Sequence, residues 1–382
     1  MSAHMPRLLH IMDYAPRGTR TFDHFLLEMA KEFANRGWKI RYAFNAEPPA
    51  EFEQALRQVG AESVVIPFPF NRRSVRELVQ RLNGYRPDVT QTSFVSAFTR
   101  ALIGFKLRGY TRRLVVIDHS SGQTPERHGW KRWLTQLRGW AVGKVVDAVV
   151  PVSETIARRD IERVFLPSHK VRVVYNGVRL DHFLNPIRPP REVIRVVYAG
   201  QLIPEKGLIT LLQAHDRLRR AGVRNYELLV AGKGPQEAEL KAFCTATGRD
   251  DVQFLGHIDS VSELFGSADI VVIPSQWHEA FGYVAAEAMA CGAVCLVSDA
   301  GALPEVVGEA GRVFRTGDDS DLAAKLKELI DSPESRSRLG RTGRSRVESF
   351  FTLGKQVTQH IAVCETVLRG EALSRIEVEP IA

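Results

Sequence analysis

The sequence predicts an α/β protein made of two doubly wound domains, and three observations carry that expectation. Short β-branched runs alternate with amphipathic helical patterns from one end to the other, as in parallel sheets buried on both faces. The Pro-rich, aperiodic stretch Asn185-Pro186-Ile187-Arg188-Pro189-Pro190-Arg191 interrupts this alternation near its middle. At 382 residues, the chain also exceeds one ordinary core. The expected organisation is therefore a domain over 1–185, a linker over 186–192 and a second domain over 193–350. A helix over 351–369 that crosses back to the first domain, and a loose tail over 370–382, complete it.

In the first half, Arg7–Met12 reads as a strand and leads into a loop containing Gly18. Residues 22–36 then place Phe25, Leu26, Met29, Ala30 and Phe33 on one helical face, with Gly37 as the stop. Strands are expected at Lys39–Phe44, then over 63–66, 89–92, 114–117, 148–152 and 171–174. The second alternation reads as strands over 193–199, 227–231, 252–255, Ile270–Ile273, 295–297 and Arg312–Phe314. Helical patterns close the chain, the last near 357–368.

Composition narrows the function classes. Hydrophobic residues make up 44% and charged residues 25%, typical of a soluble globular protein. No apolar run approaches the ~20 residues of a membrane span, and residues 1–10 lack the apolar core of a signal peptide. A cytoplasmic location follows as an expectation. Cys244, Cys291, Cys295 and Cys364 show no CxxC spacing and no neighbouring His cluster, so they read as reduced core thiols.

The net charge of +8 is uneven: residues 1–185 hold 29 Lys/Arg against 17 Asp/Glu, and the remainder holds 23 against 27. A basic first half suits an anionic substrate or membrane surface. No nucleic-acid motif accompanies it. Its densest part runs from His128 through Trp130, Lys131, Arg132 and Trp133 to Arg138, Trp140 and Lys144. That segment reads equally as an interfacial membrane helix or as an amphipathic helix with its Trp side chains on the core.

The most informative stretch is His278-Glu279-Ala280-Phe281-Gly282-Tyr283-Val284-Ala285-Ala286-Glu287, with carboxylates eight positions apart. A buried strand ends in Pro274-Ser275, a glycine turn opens a helix over 283–291, and Gly292 stands where a C-terminal cap belongs. The mouth of a helix favours phosphate, while flanking carboxylates suit the hydroxyls attached to it. A phosphate between two sets of hydroxyls describes a nucleotide-sugar. Two more strand-to-helix turns lie upstream, Gly200-Gln201-Leu202-Ile203-Pro204-Glu205-Lys206-Gly207 and Gly232-Lys233-Gly234-Pro235.

Taken in this order, Gly200 with Lys206-Gly207, Gly232-x-Gly234-Pro235, Phe254-x-Gly256-His257, Ala268-Asp269, Pro274-Ser275, Glu279-Ala280-Phe281-Gly282, Glu287-Ala288-Met289-Ala290-x-Gly292 and Gly301 with Pro304-Glu305 resemble one family. It is the retaining GT-B glycosyltransferases of family 4, with their E-x7-E motif. The likeness is nearly continuous over 198–314, and Val152-Ser153-Glu154 and Tyr175-Asn176-Gly177-Val178 with Asp181 extend it into the first half. It implies two Rossmann-like domains facing a deep interdomain cleft, and an acceptor side in the first.

The resemblance also implies roles. Lys206 would bind the donor diphosphate and stabilise the leaving group. Glu279 would hold sugar hydroxyls, beside backbone N–H groups of Phe281, Gly282 and Tyr283. Glu287 would accept from the ribose hydroxyls, and Ile258 would meet the base through its backbone. Gly234 and Gly18 belong to the loops around the donor. His119, after the strand ending in Ile117-Asp118, stands where such enzymes place a His near the donor sugar. The implied substrates are a UDP- or GDP-sugar donor and a glycan or lipid-linked acceptor, with peripheral contact at the inner membrane face through the basic half.

Two departures matter. Gln201 stands where the family has Arg, which leaves the leaving group to Lys206 and the helix dipole. The first loop reads Pro16-Arg17-Gly18-Thr19 instead of paired glycines, so Arg17 is a candidate for the missing cation. The one acidic run, Asp318-Asp319-Ser320-Asp321, reads as a helix cap, so neither metal nor cofactor is expected. The expected reaction is front-face transfer of a hexose, in polysaccharide, lipopolysaccharide or glycolipid assembly. A silent nucleotide-sugar-binding subunit, another GT-B enzyme (epimerase or phosphorylase) and a membrane or nucleic-acid adaptor are the alternatives.

Overall fold

The computed structural model describes residues 5–18, 21–122, 128–184, 192–258 and 260–373, and it divides into two compact units. Unit 1 comprises the described residues up to Ser120, those from 128 to Gly177, and those from Leu353 onward. Unit 2 holds Ser121 with Gly122 and Val178–Thr352. The chain leaves unit 1 at Gly177, ahead of the Pro-rich stretch, whose residues 185–191 lie outside the described residues.

In unit 1, strands β1 (Arg7–Met12), β2 (Lys39–Phe44), β3 (Ala61–Val65), β4 (Val89–Ser93), β5 (Arg113–Asp118) and β6 (Ala148–Pro151) form one sheet in the order β3-β2-β1-β4-β5-β6. Every pairing is parallel. Parallel neighbours need crossover connections, and helices supply them on both faces. Leu9, Ile11, Leu114 and Val116 pack one face against Leu78 and Phe105. On the other, the helix Thr21–Asn35 buries Phe25, Leu26, Met29, Ala30 and Phe33 and packs beside the helix Leu353–Arg369.

Unit 2 repeats the plan with β7 (Ile194–Ala199), β8 (Tyr226–Ala231), β9 (Val252–Gly256), β10 (Ile270–Ile273), β11 (Val294–Ser298) and β12 (Arg312–Phe314). Its order is β12-β11-β10-β7-β8-β9. Counted from each unit's own first strand, this is the same 3-2-1-4-5-6 sequence of strands as in unit 1. In such a sheet the first and fourth strands are neighbours with crossovers running in opposite directions. A crevice opens beyond their carboxyl ends.

Two expectations are corrected or decided here. Residues 171–174 form no strand: a single-turn 3-10 helix, Ser168–Lys170, is followed by one isolated bridge between Val149 and Val171. The Trp-bearing helix, Gly129–Val145, buries Gly139, Val142 and Gly143, so small residues let it approach the rest of unit 1. Trp130, Trp133 and Trp140 are left 71%, 63% and 59% exposed; they do not enter the core. Among the described residues no helix is long and apolar enough to cross a membrane. All four cysteines are free and buried.

Candidate active site

The unit 2 crevice lies between the loops that follow β7 and β10, and those loops carry Lys206 and Glu279. The first loop ends in a 3-10 turn, Pro204–Lys206, which Gly207 closes with φ +65°. A Cβ on Gly207 would stand closer than 3.0 Å to the Pro274 carbonyl oxygen, so glycine alone lets the β7 loop approach the β10 loop. The approach brings together side chains 73 positions apart: Lys206 Nζ donates to Glu279 Oε1 at 2.6 Å. Buried Ser275 donates to the same oxygen at 3.0 Å. Behind it, the Glu279 backbone bridges to Gly301, and its carbonyl accepts from Ala302 N–H at 2.9 Å.

Gly282, at φ +105°, turns the chain into the helix Tyr283–Ala290. A Cβ there would lie 2.7 Å from Leu303 Cδ2. The glycine thus sets where the N–H groups at the helix mouth point. Phe281 is buried edge-to-face against Tyr283 and Phe351, which holds the turn rigid. Glu287 is buried on this helix, one turn from its mouth.

The neighbouring loops are stitched to one another. Gly232 N–H donates to Gly256 C=O at 2.7 Å, Gly200 N–H to Ala231 C=O at 3.0 Å, and Leu202 N–H to Lys233 C=O at 3.1 Å. Gly234 lies on the Leu202 backbone with no room for a side chain. The Gln201 side chain is exposed, and the Gln201 backbone carbonyl accepts from Tyr198 O–H at 2.8 Å. Burial, and then the nearby charge of Glu279, push the Tyr198 hydroxyl's pKa well above its usual value, so it stays a donor. Ile258 follows the end of β9, half-buried.

In unit 1, His119 directly follows β5. Its neighbours are fixed by Arg159, which donates to Asp118 at 2.7 Å and to the Ser120 carbonyl at 2.8 Å. His119 Nε2 lies 3.3 Å from Ser93 Oγ at the end of β4, and His10 Nε2 on β1 lies 2.9 Å from the same oxygen. Ser93 has one proton, so it donates to one ring and accepts from the other. His10 Nδ1 is buried without a partner among the described residues. A lone pair tolerates that better than an N–H. The least costly arrangement protonates His10 at Nε2 and turns the Ser93 hydroxyl to His119 Nε2, so that the His119 proton sits on Nδ1.

Desolvation pushes the His119 pKa down to about 4, and burial with the neighbouring His119 pushes that of His360 down to about 3. His10 also falls well below its usual value, through burial and then both other rings. All three imidazoles are neutral near pH 7. Phe94 stacks on His119 at 4.5 Å while holding φ +59°, a left-handed conformation that is rare and strained for an aromatic residue.

Of the expected residues, the structure joins Lys206 with Glu279 directly and places His119 on a network of its own. Arg17 is exposed; its backbone N–H, not its guanidinium, binds Asp23. Gly18 has φ +83°, and Thr19 of the same loop lies outside the described residues. Ser93, His10 and Phe94 were not singled out from sequence. Ser275 stood inside a recognised pair but without a role. The acidic run is engaged: Asp318 caps the helix Asp319–Asp331, Asp319 pairs with Arg217, and Asp321 with Lys325.

The chain is similar to known proteins over most of its length. A family profile described as Glycosyltransferase Family 4 matches residues 24–182, and one described as Glycosyl transferases group 1 matches 184–346. The GDP-mannose-dependent alpha-(1-6)-phosphatidylinositol dimannoside mannosyltransferase of Mycobacterium tuberculosis is 32% identical, over 88% of this chain and 90% of its own. Glycogen synthase of the same species is 30% identical, over 75% and 70%. The crystal structure of Anabaena HepE in complex with UDP and glucose superposes with a TM-score of 0.72 at 19% identity, covering 95% of this chain and all of that one. The chain is a two-domain α/β protein of the GT-B fold and belongs to glycosyltransferase family 4.

Proposed function

We propose that this glycosyltransferase is a retaining, metal-independent hexosyltransferase that uses a UDP- or GDP-sugar and acts in glycolipid, lipopolysaccharide or polysaccharide assembly. The observation that carries the reading is the Lys206–Glu279 pair at the unit 2 crevice. Its natural competitor is a molecule that supplies an anion for Lys206 and hydroxyls for Glu279, which a nucleotide-sugar does at once. In this reading Glu287 takes the ribose hydroxyls, and the backbone at 258 meets the base. The N–H groups at the mouth of the helix Tyr283–Ala290 take phosphate. The diphosphate loop has Lys206 as its cation, since Gln201 brings none.

Glu279 already accepts from two donors, so it serves as a holder of hydroxyls rather than a nucleophile. Transfer then proceeds on one face of the sugar. The bond from the anomeric carbon to the leaving oxygen breaks through an oxocarbenium-like pair, the acceptor oxygen bonds on the same side, and its proton passes to the departing phosphate. In this reading neutral His119 offers its Nδ1–H to a substrate hydroxyl. The acceptor is assigned to unit 1. There the exposed Trp130, Trp133 and Trp140 among Lys and Arg support peripheral membrane contact.

The test is a thermal-shift screen of UDP-, GDP- and ADP-sugars on the full chain, followed by nucleotide release with acceptor extracts. One donor class should raise the melting temperature, and both Lys206→Ala and Glu279→Ala should abolish the shift and the release. No shift with any donor, or unchanged release by either variant, sinks the proposal.

A further inference from the structure

Unit 1 contains a hollow that includes none of the residues assigned above to the donor or the histidine cluster. It lies between the helices Arg72–Leu82 and Arg100–Leu107 and has a volume of 880 Å³. Its apolar side includes Val79 and Tyr110, and its charged lining is Arg72, Arg76, Arg100 and Arg108, with no carboxylate.

Among the described residues none of these four guanidiniums has a hydrogen bond or an ion pair. Some arginines on other exposed helix faces find acids, whereas Arg81, Arg158 and Arg338 have none among the described residues. Arg57 pairs with Glu53 at 2.7 Å and Arg344 with Glu348 at 2.6 Å. On the helix Arg72–Leu82, Arg73 pairs with Glu77 at 2.8 Å, and neither lines the hollow. Arg72 and Arg76 stand at i,i+4, where like charges oppose the helix. What sets the hollow apart is that four such guanidiniums stand around one cavity with no carboxylate in its lining.

Guanidinium groups match phosphate oxygens in a bidentate manner. A bare, strongly hydrated anion would leave the apolar side unused, whereas an amphiphile fills both. The helix Gly129–Val145, with its exposed tryptophans, packs against the helix Arg100–Leu107, and Arg138 lies over Phe98 at 5.3 Å. Tryptophan among cations is the side-chain chemistry of the membrane interface.

We propose that this hollow binds the phosphate-bearing head group of a membrane lipid, with the arginines on the phosphate and the adjoining apolar part of the lipid against Val79 and Tyr110. The site shares no residue with the donor crevice in unit 2, so its failure leaves the donor-site reading, tested by the donor thermal shift, standing.

The experiment is calorimetric titration of the full chain with monomeric dihexanoyl phosphatidic acid, and separately with inorganic pyrophosphate. The cavity variant is Arg76→Glu/Arg100→Glu; the control is Arg81→Glu/Arg86→Glu, an equal charge change in unit 1 that does not line the hollow. The cavity variant should bind the lipid about tenfold or more weakly, and the control within about twofold of wild type. Pyrophosphate should bind about tenfold more weakly than the lipid. Arg76→Gln/Arg100→Gln, with less effect on folding, should lose an intermediate amount. Equal losses in cavity and control variants, pyrophosphate binding as tight as the lipid, or no lipid binding by the wild type overturns the proposal.

Discussion

Replacing Gly207 with alanine should destabilise unit 2 by about 3 kcal/mol, a sum of two costs. Gly207 has φ +65°, and an alanine there costs about 1 kcal/mol for the left-handed backbone alone. Its Cβ would also stand closer than 3.0 Å to the Pro274 carbonyl oxygen. Relieving such an overlap in a packed interior costs about 1–3 kcal/mol and moves the β7 and β10 loops apart by roughly 1 Å. Gly222 in the same unit is the internal standard: φ +84° and nothing within 4 Å of a Cβ. Gly222→Ala carries the first cost without the second. Urea unfolding of both variants beside wild type measures the difference, with the slope checked for constancy. Donor affinity is the second readout, because separating the loops takes Lys206 off Glu279. Equal midpoints for the two variants, or wild-type donor affinity in Gly207→Ala, would refute the idea that this close approach builds the site.

Ser93→Ala should keep the fold and slow sugar transfer by about tenfold, one lost hydrogen bond's worth; imidazole nitrogen NMR should show His119 losing its single tautomer, and an unchanged spectrum refutes the assignment. For pH, the sign follows from the lowered histidine values: between about 6.5 and 3 the unfolded chain takes up protons that folded His119 and His360 refuse, so stability falls as the solution is acidified. His360→Asn keeps an acceptor for Gln91 and should flatten the urea midpoint against pH over that window. Asp160, raised to about 8 chiefly by burial, acts in the opposite sense and is common to both proteins, so a parallel profile would count against the histidine. Gln201→Arg adds a cation to the diphosphate loop and should raise turnover several-fold; no change would mean that leaving-group charge is not limiting.

The alternation of strands and helices was legible because parallel strands buried on both faces are forced to be β-branched. Lys39–Phe44, Ile270–Ile273 and Arg312–Phe314 fall where the pattern puts them. The Val171 segment misled because it is extended along β6 without becoming a strand: Arg172 and Val174 N–H donate to the Val149 and Pro151 carbonyls, yet only Val171 forms a bridge. Lys206 and Glu279 were readable from local turns, since each stands at the carboxyl end of its own strand. The histidine cluster was not. His10, Ser93, His119 and His360 come from four separate elements, and β4, which buries Thr90, Gln91, Thr92 and Ser93, reads as an unremarkable polar strand. Nothing local in Trp130, Trp133 or Trp140 said which way they face; the glycines at 139 and 143, which give the helix its close contact, were the available clue.

The helix Leu353–Arg369 has a consequence for how the protein is made. It belongs to unit 1, where Gln91 of β4 binds His360 at 3.0 Å and Gly177 N–H binds Gln356 at 2.9 Å. A ribosome reaches that helix only after all of unit 2 has been synthesised. The second unit in the sequence can thus complete itself first, while the first waits with its polar β4 and the Thr21–Asn35 face uncovered. A fragment ending at residue 177 would keep that surface exposed, because the helix that covers it lies beyond unit 2 in the sequence.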